Sequence, residues 1–149
     1  MVKPIPDEYH TVTPYLIVED AAGLMNFAKQ VLGAQETVSM PGPDGKIGHA
    51  EMRIGDSVVM LSDGNPDSPP ERATILVYVD DCDATYQKAL SAGASSERKP
   101  EDQFYGDRSA GVSAFGVRLW FHTHVEDVTP EEMQKRMAAM AGAQAQAGQ

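Results

Sequence analysis

Two histidine motifs are the places where this sequence could carry out acid–base or metal chemistry. His49 and Glu51 are separated by one residue, and in a strand such residues lie on one face about 7 Å apart. There the imidazole could act as a general base oriented by the carboxylate, or the pair could bind a divalent metal together with His10 or His122. The same spacing also suits a solvated pair or a structural hydrogen bond, so the interpretations stay open. His122 and His124 repeat the spacing, and His124 is expected at the surface because acidic residues follow it.

A second group of residues suits the recognition of a small molecule. Trp120 offers an apolar plane on which a ligand can stack, and Tyr15 and Tyr78 add amphipathic walls. Trp120 could equally fill space only. Arg118 lies two residues before Trp120, on the same face of a strand. Arg108 follows a turn, where it could bind a carboxylate or phosphate, or form an Arg–Asp pair that fixes the loop.

The elements that must position these residues occur twice in the chain. The segments TPYLIVEDAAGLMNFAKQVLGAQ, from Thr13, and TILVYVDDCDATYQKALSAGASS, from Thr74, share one plan. Each has a strand-like run, two acidic residues, a helix-compatible stretch and a closing Gly-Ala. Asp20 and Asp81 stand where a carboxylate caps a helix N-terminus. Strand-like runs follow in both halves, so each half predicts a strand, a helix and three strands.

This repeat divides the chain into five parts. A Pro- and Gly-rich stretch, GNPDSPP, marks a linker between the halves, and Thr129-Pro130-Glu131-Glu132 predicts the start of a C-terminal helix whose low-complexity end frays. The predicted parts are an N-terminal arm (1–9), a first βαβββ module (10–63), a linker (64–72), a second βαβββ module (73–125), and a C-terminal helix and tail (126–149).

Strand alternation assigns the side chains of each predicted strand to two faces. Apolar residues such as Ala50, Met52 and Leu119 are expected to pack against the helices. The opposite face is expected to carry Tyr15, His49, Glu51, Tyr78, Arg118, Trp120 and His122.

Composition argues against several kinds of partner. The 149 residues include 22 Asp and Glu but only 12 Lys and Arg, which gives a formal net charge of −10 and disfavours nucleic acid and anionic membranes. Cys82 is the single cysteine, so no internal disulfide can form, as expected in a reducing cytoplasm. No apolar run approaches the roughly 18 residues of a membrane-spanning helix. We therefore expect a cytoplasmic protein.

Four segments resemble a known family: YHTVTPYLIVEDA, GKIGHAEMRIGDSVVMLSD, EDQFYGDRSAGV and FHTHVEDVTPEEM. They are similar to the PhnB-like, glyoxalase-related branch of the vicinal oxygen chelate superfamily, which includes glyoxalases, bleomycin-resistance proteins and extradiol dioxygenases. The resemblance implies an α+β fold in which tandem βαβββ modules form a U-shaped mixed sheet with helices outside. It also implies a ligand cavity on the concave face and a homodimer, but it does not fix a reaction.

The resemblance also locates the positions where superfamily members bind a metal. Metal-dependent members take ligands from four strands, usually two His with one or two Glu, and the aligned positions here are Thr13, Met60, Thr74 and Trp120. Hydroxyl, thioether and indole groups are poor ligands for such a divalent cation. We therefore expect no cofactor at the usual positions, with a divalent metal at a non-standard site as the alternative.

Two functions follow from these expectations. The first is the binding of a small molecule in a metal-free cavity of a homodimer, without nucleic-acid or membrane partners. The expected ligand-binding residues are Tyr15, Tyr78, Arg108, Arg118, Trp120 and His122. The alternative is a metal-dependent or acid/base lyase, isomerase or dioxygenase-type enzyme, with His49 and Glu51 as catalytic residues alongside His10 or His122.

Overall fold

Each half of the chain forms a strand, a helix and three more strands in a computed structural model that describes residues 2–148. The first half comprises β1 (Tyr15–Val18), α1 (Ala21–Leu32), β2 (Gln35–Pro41), β3 (Ile47–Ile54) and β4 (Ser57–Asp63). The second comprises β5 (Ala73–Tyr78), α2 (Cys82–Ser91), β6 (Ser95–Asp102), β7 (Asp107–Ala114) and β8 (Val117–His124). A 3₁₀ turn (Pro43–Gly45) precedes β3, and α3 (Pro130–Ala147) ends the described chain.

The two helices of the repeat begin at the predicted caps. The Asp20 carboxylate accepts a hydrogen bond from the backbone N–H of Gly23, and the Asp81 carboxylate accepts one from Ala84. Both carboxylates therefore satisfy an amide that has no partner within the helix. The first helix ends at Gly33, whose φ of 64° lies in the left-handed region that favours glycine.

The C-terminal helix is longer than the sequence predicts. Thr129 caps α3 by accepting a hydrogen bond from the Glu132 backbone N–H. The Ala- and Gln-rich end, which was expected to fray, remains helical to Ala147, because both residue types have favourable helix propensity. No helix within residues 2–148 is both long and apolar enough to cross a membrane.

The strands form two four-stranded sheets, in the orders β1-β4-β3-β2 and β5-β8-β7-β6. The first strand of each half pairs in parallel with the last, and the other pairs are antiparallel. This confirms the predicted α+β fold of tandem modules, although no backbone ladder within residues 2–148 joins the sheets into one. A linker amide, the Glu71 N–H, donates to the Ile17 carbonyl of the edge strand β1 (3.0 Å).

One hydrophobic core connects the two halves. The buried residues of α1 include Leu24 and Phe27, at the helical spacing that the sequence shows. Phe27 meets Phe115, in the β7–β8 turn, with ring centroids 6.1 Å apart and the rings edge to face. The predicted alternation is also present, since Ala50 and Met52 of β3 belong to this core.

Candidate functional site

Polar side chains collect on the face of each sheet that is turned away from the helices. The first group, which we call the Glu51 cluster, consists of Tyr9, Tyr15, His49 and Glu51. The second, the Asp107 cluster, consists of Tyr78, Asp107, His122 and His124. A third feature on the second sheet is the Arg98–Trp120 pair. Among the described residues, the side-chain hydrogen bonds of the Glu51 cluster join residues of the first half of the chain. Those of the Asp107 cluster and of Arg98 join residues of the second half.

The Glu51 cluster connects a buried carboxylate to a half-exposed phenol. Glu51 is 7% exposed and accepts a hydrogen bond from Tyr9, on the N-terminal arm. His49 Nε2 lies 2.9 Å from Glu51 Oε2, and the Tyr15 hydroxyl lies 3.2 Å from His49 Nδ1. The hydrogen bond from Tyr9, with a further one from His49, lowers the pKa of Glu51 despite its burial. An ionised Glu51 places the imidazole proton on Nε2, so Nδ1 can accept the proton of Tyr15.

The structure does not bring His10 or His122 to this cluster. His10 Nε2 lies 2.9 Å from the Asp56 carbonyl, in the β3–β4 turn. His122 lies on the second sheet, hydrogen-bonded to Asp107. Across the chain from residue 2 to residue 148, no three His, Cys, Asp or Glu side chains are arranged to hold one metal ion.

The Asp107 cluster is built around an almost fully buried carboxylate. Asp107 is 4% exposed and accepts hydrogen bonds from His122 Nδ1 (3.0 Å), His124 Nδ1 (2.8 Å) and the Tyr78 hydroxyl (3.1 Å). Burial acts to raise the pKa of Asp107, but the hydrogen bonds from His124, His122 and Tyr78 outweigh it and lower the pKa. His122 is itself buried, and the ring of Tyr105 stacks against it at 6.1 Å.

His124 lies at the surface, as the sequence predicts, but both of its ring nitrogens are hydrogen-bonded. Its side chain is 52% exposed, yet Nε2 lies 2.8 Å from Asp127 Oδ1 while Nδ1 binds Asp107. These two carboxylates, Asp127 first, raise the pKa of His124. His124 therefore ties the segment after β8 to the Asp107 cluster.

Trp120 lies across the second sheet instead of pointing away from it. Gly111 on β7 pairs with Trp120 on one side and with Arg98 on the other. A Cβ atom added at Gly111 would lie 2.3 Å from Trp120 Cζ3, so the missing side chain gives the indole its place. The Arg98 guanidinium lies over the indole, with Cζ 4.7 Å from the ring centroid, and its Nη2 donates to the Ser109 hydroxyl.

A cavity of about 910 Å³ lies between the end of α1, the β3–β4 turn, β5 and α2. Tyr78 is the one expected ligand-binding residue among its lining residues. Its walls are apolar side chains such as Val58, Ile75 and Val77, with Lys29 at one end. Within a single chain, this cavity includes Tyr78 of the Asp107 cluster, but no residue of the Glu51 cluster and neither Arg98 nor Trp120.

Comparison with known proteins identifies the family. The sequence model of the Glyoxalase/Bleomycin resistance protein/Dioxygenase superfamily matches residues 9–121, which is most of the chain. The chain belongs to this superfamily. A relative named as an uncharacterized protein of Mycobacterium bovis is 36% identical over 140 residues, which cover 86% of this chain and 92% of the relative.

Solved structures of low sequence identity share the superfamily fold. TioX from Micromonospora sp. ML1 aligns with a TM-score of 0.65 at 22% identity, over 78% of this chain and 99% of TioX. TnmS3 from Streptomyces sp. CB03234, described as an antibiotic binding protein, aligns with a TM-score of 0.62 at 21% identity, over 83% of this chain and 99% of TnmS3. At these identities the similarity establishes the fold, and the site has to be argued from this chain's own residues.

The four positions that the resemblance aligns with the metal ligands of superfamily members carry side chains that do not fit a metal. Met60 pairs with Tyr15 across β4 and β1, and Trp120 pairs with Leu76 across β8 and β5. Thr13 precedes β1, and Thr74 lies on β5. A thioether, an indole and two hydroxyls supply neither the imidazole nor the carboxylate ligands that a catalytic divalent ion needs.

The two predicted arginines differ in position. Arg118 is exposed on the same face as Trp120, with Nε 3.8 Å from Glu97. Arg108 lies on the helix side of β7, where it binds Asp83 (2.6 and 3.0 Å) and Asp102 (3.1 Å). The hydrogen bonds that Arg108 donates, first to Asp83 and then to Asp102, raise the pKa of Arg108. The structure thus shows the Arg–Asp pair, and it does not place Arg108 beside Trp120 or His122.

Sequence reasoning missed Tyr9, Arg98 and Asp107. Tyr9 reaches Glu51 from an arm without regular secondary structure, so no periodicity could have placed it. Arg98 stands between two register shifts in the pairing of β6 with β7, which interrupt the alternation used for the other strands. Asp107 could have been found, because it begins the strand that pairs with β8 and lies opposite His124.

Proposed function

We propose that this protein binds a small, planar, partly apolar molecule on the sheet faces that carry the two clusters, without a metal. The observation that carries the proposal is the set of side chains at the superfamily's metal positions, which cannot act as metal ligands while Trp120 offers an aromatic surface there. The antibiotic-binding description of TnmS3 supports this class of function. We also assign the chain to the PhnB-like branch, on the segments that resemble it, and to the cytoplasm, on its single free cysteine.

The binding site is completed in a homodimer. Tyr15 on β1 is 47% exposed, and Leu76 and Tyr78 on β5 are 47% and 65% exposed. Each of these strands is paired on one side only within its sheet. Large side chains at such an edge gain apolar contacts when a second sheet edge approaches, and the approach of a second copy would turn open faces into a cavity.

A second function is favoured by one observation, the chain of hydrogen bonds from Tyr15 through His49 to Glu51. A substrate proton taken up by the Tyr15 oxygen would be matched by transfer of the phenol proton to His49 Nδ1. Glu51 would stabilise the resulting imidazolium. This arrangement supports a metal-free proton-transfer reaction, such as that of an isomerase or lyase, at the first sheet.

Metal analysis and ligand binding together test the first function. Protein purified without a His-tag is expected to contain no stoichiometric metal, and treatment with a chelator is expected to leave ligand binding unchanged. In a screen of planar aromatic compounds by thermal shift, Trp120→Ala should weaken binding about tenfold or more, because a stacking surface is lost. Met137→Ala, a change at an exposed apolar residue on α3, is the matched control. Stoichiometric metal that disappears in His49→Ala would refute the proposal.

The enzymatic alternative has a separate test. If a substrate is found, Tyr15→Phe and Glu51→Gln should both reduce turnover strongly, whereas Tyr78→Phe on the other sheet should not. If Tyr15→Phe and Glu51→Gln turned over substrate as fast as Tyr78→Phe, a proton relay through His49 would be excluded.

A further inference from the structure

The Arg98–Trp120 pair contains a cation that lacks an anionic partner in an otherwise acidic protein. Arg108 and Arg136 each lie within ion-pair distance of two carboxylates. Arg98 forms no ion pair among residues 2–148, since the neighbouring Glu97 lies instead beside Arg118. Arg53 and Arg72 form no ion pair among residues 2–148 either, but Arg53 lies on the first sheet and Arg72 in the linker. Arg98 is the arginine without an ion pair that lies on the second sheet, on the face proposed for the ligand.

The guanidinium of Arg98 is also held in place before any ligand arrives. Trp120 lies beneath it at 4.7 Å, and Ser109, which is fully buried, accepts from Nη2. Nε is buried without a hydrogen-bond partner in the described chain. Nη1 makes no hydrogen bond within residues 2–148, so it remains available to an acceptor on a ligand. A guanidinium fixed in this way loses little conformational entropy when an anion binds.

Local backbone geometry explains how the pair forms. Arg98, Gly111 and Trp120 lie side by side on three neighbouring strands. The absence of a side chain at Gly111 lets the indole reach across β7 to Arg98. Register shifts on both sides of Arg98 turn its side chain relative to a regular strand.

We propose that Arg98, stacked on Trp120, is the anion-recognition element of the ligand site, and that the ligand is a planar aromatic molecule that carries a carboxylate. The carboxylate accepts a charge-assisted hydrogen bond from Nη1. The ring of the ligand lies beside the Trp120–Arg98 stack, where planar groups pack best. This inference rests on the proposed small-molecule binding and adds the charge class of the ligand to it.

Isothermal titration calorimetry tests the inference with two probes that differ at one substituent, which is charged in one probe and neutral in the other. The probes are 2-naphthoate and 2-naphthamide, which share a ring system. Wild-type protein is expected to bind the carboxylate at least about tenfold more tightly than the amide, the difference that one charge-assisted hydrogen bond supplies. The preference should decrease as salt is raised, because a partly exposed ion pair is screened.

Two arginine variants locate the effect. Arg98→Met keeps the length of the side chain and should bring the ratio of the two affinities, carboxylate to amide, close to one. Arg98→Lys should keep part of the preference for the carboxylate. Arg72→Met removes a positive charge from the exposed linker and should leave the preference intact. The near-UV circular dichroism of Trp120, the single tryptophan of the chain, verifies that each variant keeps its folded environment.

The outcomes separate this inference from the proposed function. Saturable binding of both probes with equal affinity, or a preference that persists in Arg98→Met, would overturn the role of Arg98 while small-molecule binding stands. Failure of both probes to bind wild-type protein would count against both proposals. An equal loss of the preference in Arg72→Met would show that the overall charge of the protein, and not Arg98, sets it, and would contradict the inference.

Discussion

Asp107 illustrates at the residue scale how a buried charge is stabilised in this protein. Three hydrogen-bond donors, from Tyr78, His122 and His124, surround a carboxylate that is 4% exposed. Tyr78 lies at the end of β5 and the two histidines lie at the end of β8, while Asp107 begins β7. The carboxylate therefore connects the ends of three strands. Replacement by a neutral amide would leave a buried site with fewer acceptors and no charge, which is costly in a low-dielectric environment.

We therefore expect Asp107→Asn to lower the free energy of unfolding by about 2–3 kcal/mol at pH 7, measured by urea denaturation. The pKa of Asp107 is lower in the folded protein than its ordinary value of 3.8, so its stabilising effect is present above that value. The effect is lost as the pH falls through the folded pKa. The gap between wild type and variant should thus shrink below about pH 4. Asp102→Asn, a change at an exposed carboxylate, is the control and should alter stability little; an equal loss in both variants would contradict the argument.

The stabilisation by His124 depends on pH in the opposite direction. Its pKa is raised in the folded protein by Asp127 and Asp107, so its stabilising effect is present below its ordinary pKa of 6.5. The effect is lost as the pH rises through the folded pKa. The Asp107 cluster therefore stabilises the fold most in an intermediate pH range. Protonation of Asp107 sets the lower limit of this range, and deprotonation of His124 sets the upper limit.

Many individual site residues could be placed from the sequence, and the exceptions have physical reasons. Alternation assigned His49 and Glu51 to the face opposite Ala50 and Met52, as the structure has it. Their hydrogen bond to each other was among the interpretations considered. Alternation says nothing about which partner from another strand or arm will approach, so the contact of Tyr9 with Glu51 was not predictable. The ligand-binding roles themselves stay predictions.

At the scale of elements, one side chain connects the beginnings of a helix and a strand. Asp63, the last residue of β4, accepts from the Ala21 N–H at the start of α1 (2.9 Å) and from the Ile47 N–H at the start of β3 (2.6 Å). Neither amide has a partner within its own element at that position. The carboxylate also lies near the positive end of the α1 dipole.

Asp63→Ala is expected to reduce the free energy of unfolding by about 2–3 kcal/mol, since two backbone amides lose a charged acceptor. Thermal and urea denaturation measure the change. Asp67→Ala, in the exposed linker, removes a carboxylate of the same charge and should have no comparable effect. If both variants unfold like wild type, Asp63 does not hold these elements together.

The order of elements was predictable because two copies of one pattern support each other. Asp20 and Asp81 cap helices, and the glycine after each helix marks its end. The bulges in β2 and β6 were not predictable, because they depend on the pairing with the next strand instead of on local propensity.

At the scale of the whole molecule, the proposed homodimer requires contacts that a single chain leaves open. Light scattering coupled to size-exclusion chromatography should give about twice the 16.1 kDa of the chain. Leu76→Arg places a charge on the half-exposed edge of β5 and should shift the mass toward one chain, because a charge is costly to bury at an apolar contact. Met137→Arg, on the equally exposed face of α3, is the control. A dimer that survives Leu76→Arg but not Met137→Arg would place the interface on α3.

The edges of the two sheets differ in their resistance to aggregation. The linker occupies a carbonyl beside β1, and β6 carries a run of charges and Pro100, features that discourage the addition of foreign strands. The strand β5, with the sequence ATILVY, has neither kind of protection on its outer side. Six apolar or β-branched residues without charge are typical of segments that start fibril growth. Heated or concentrated samples should therefore self-associate first through this strand.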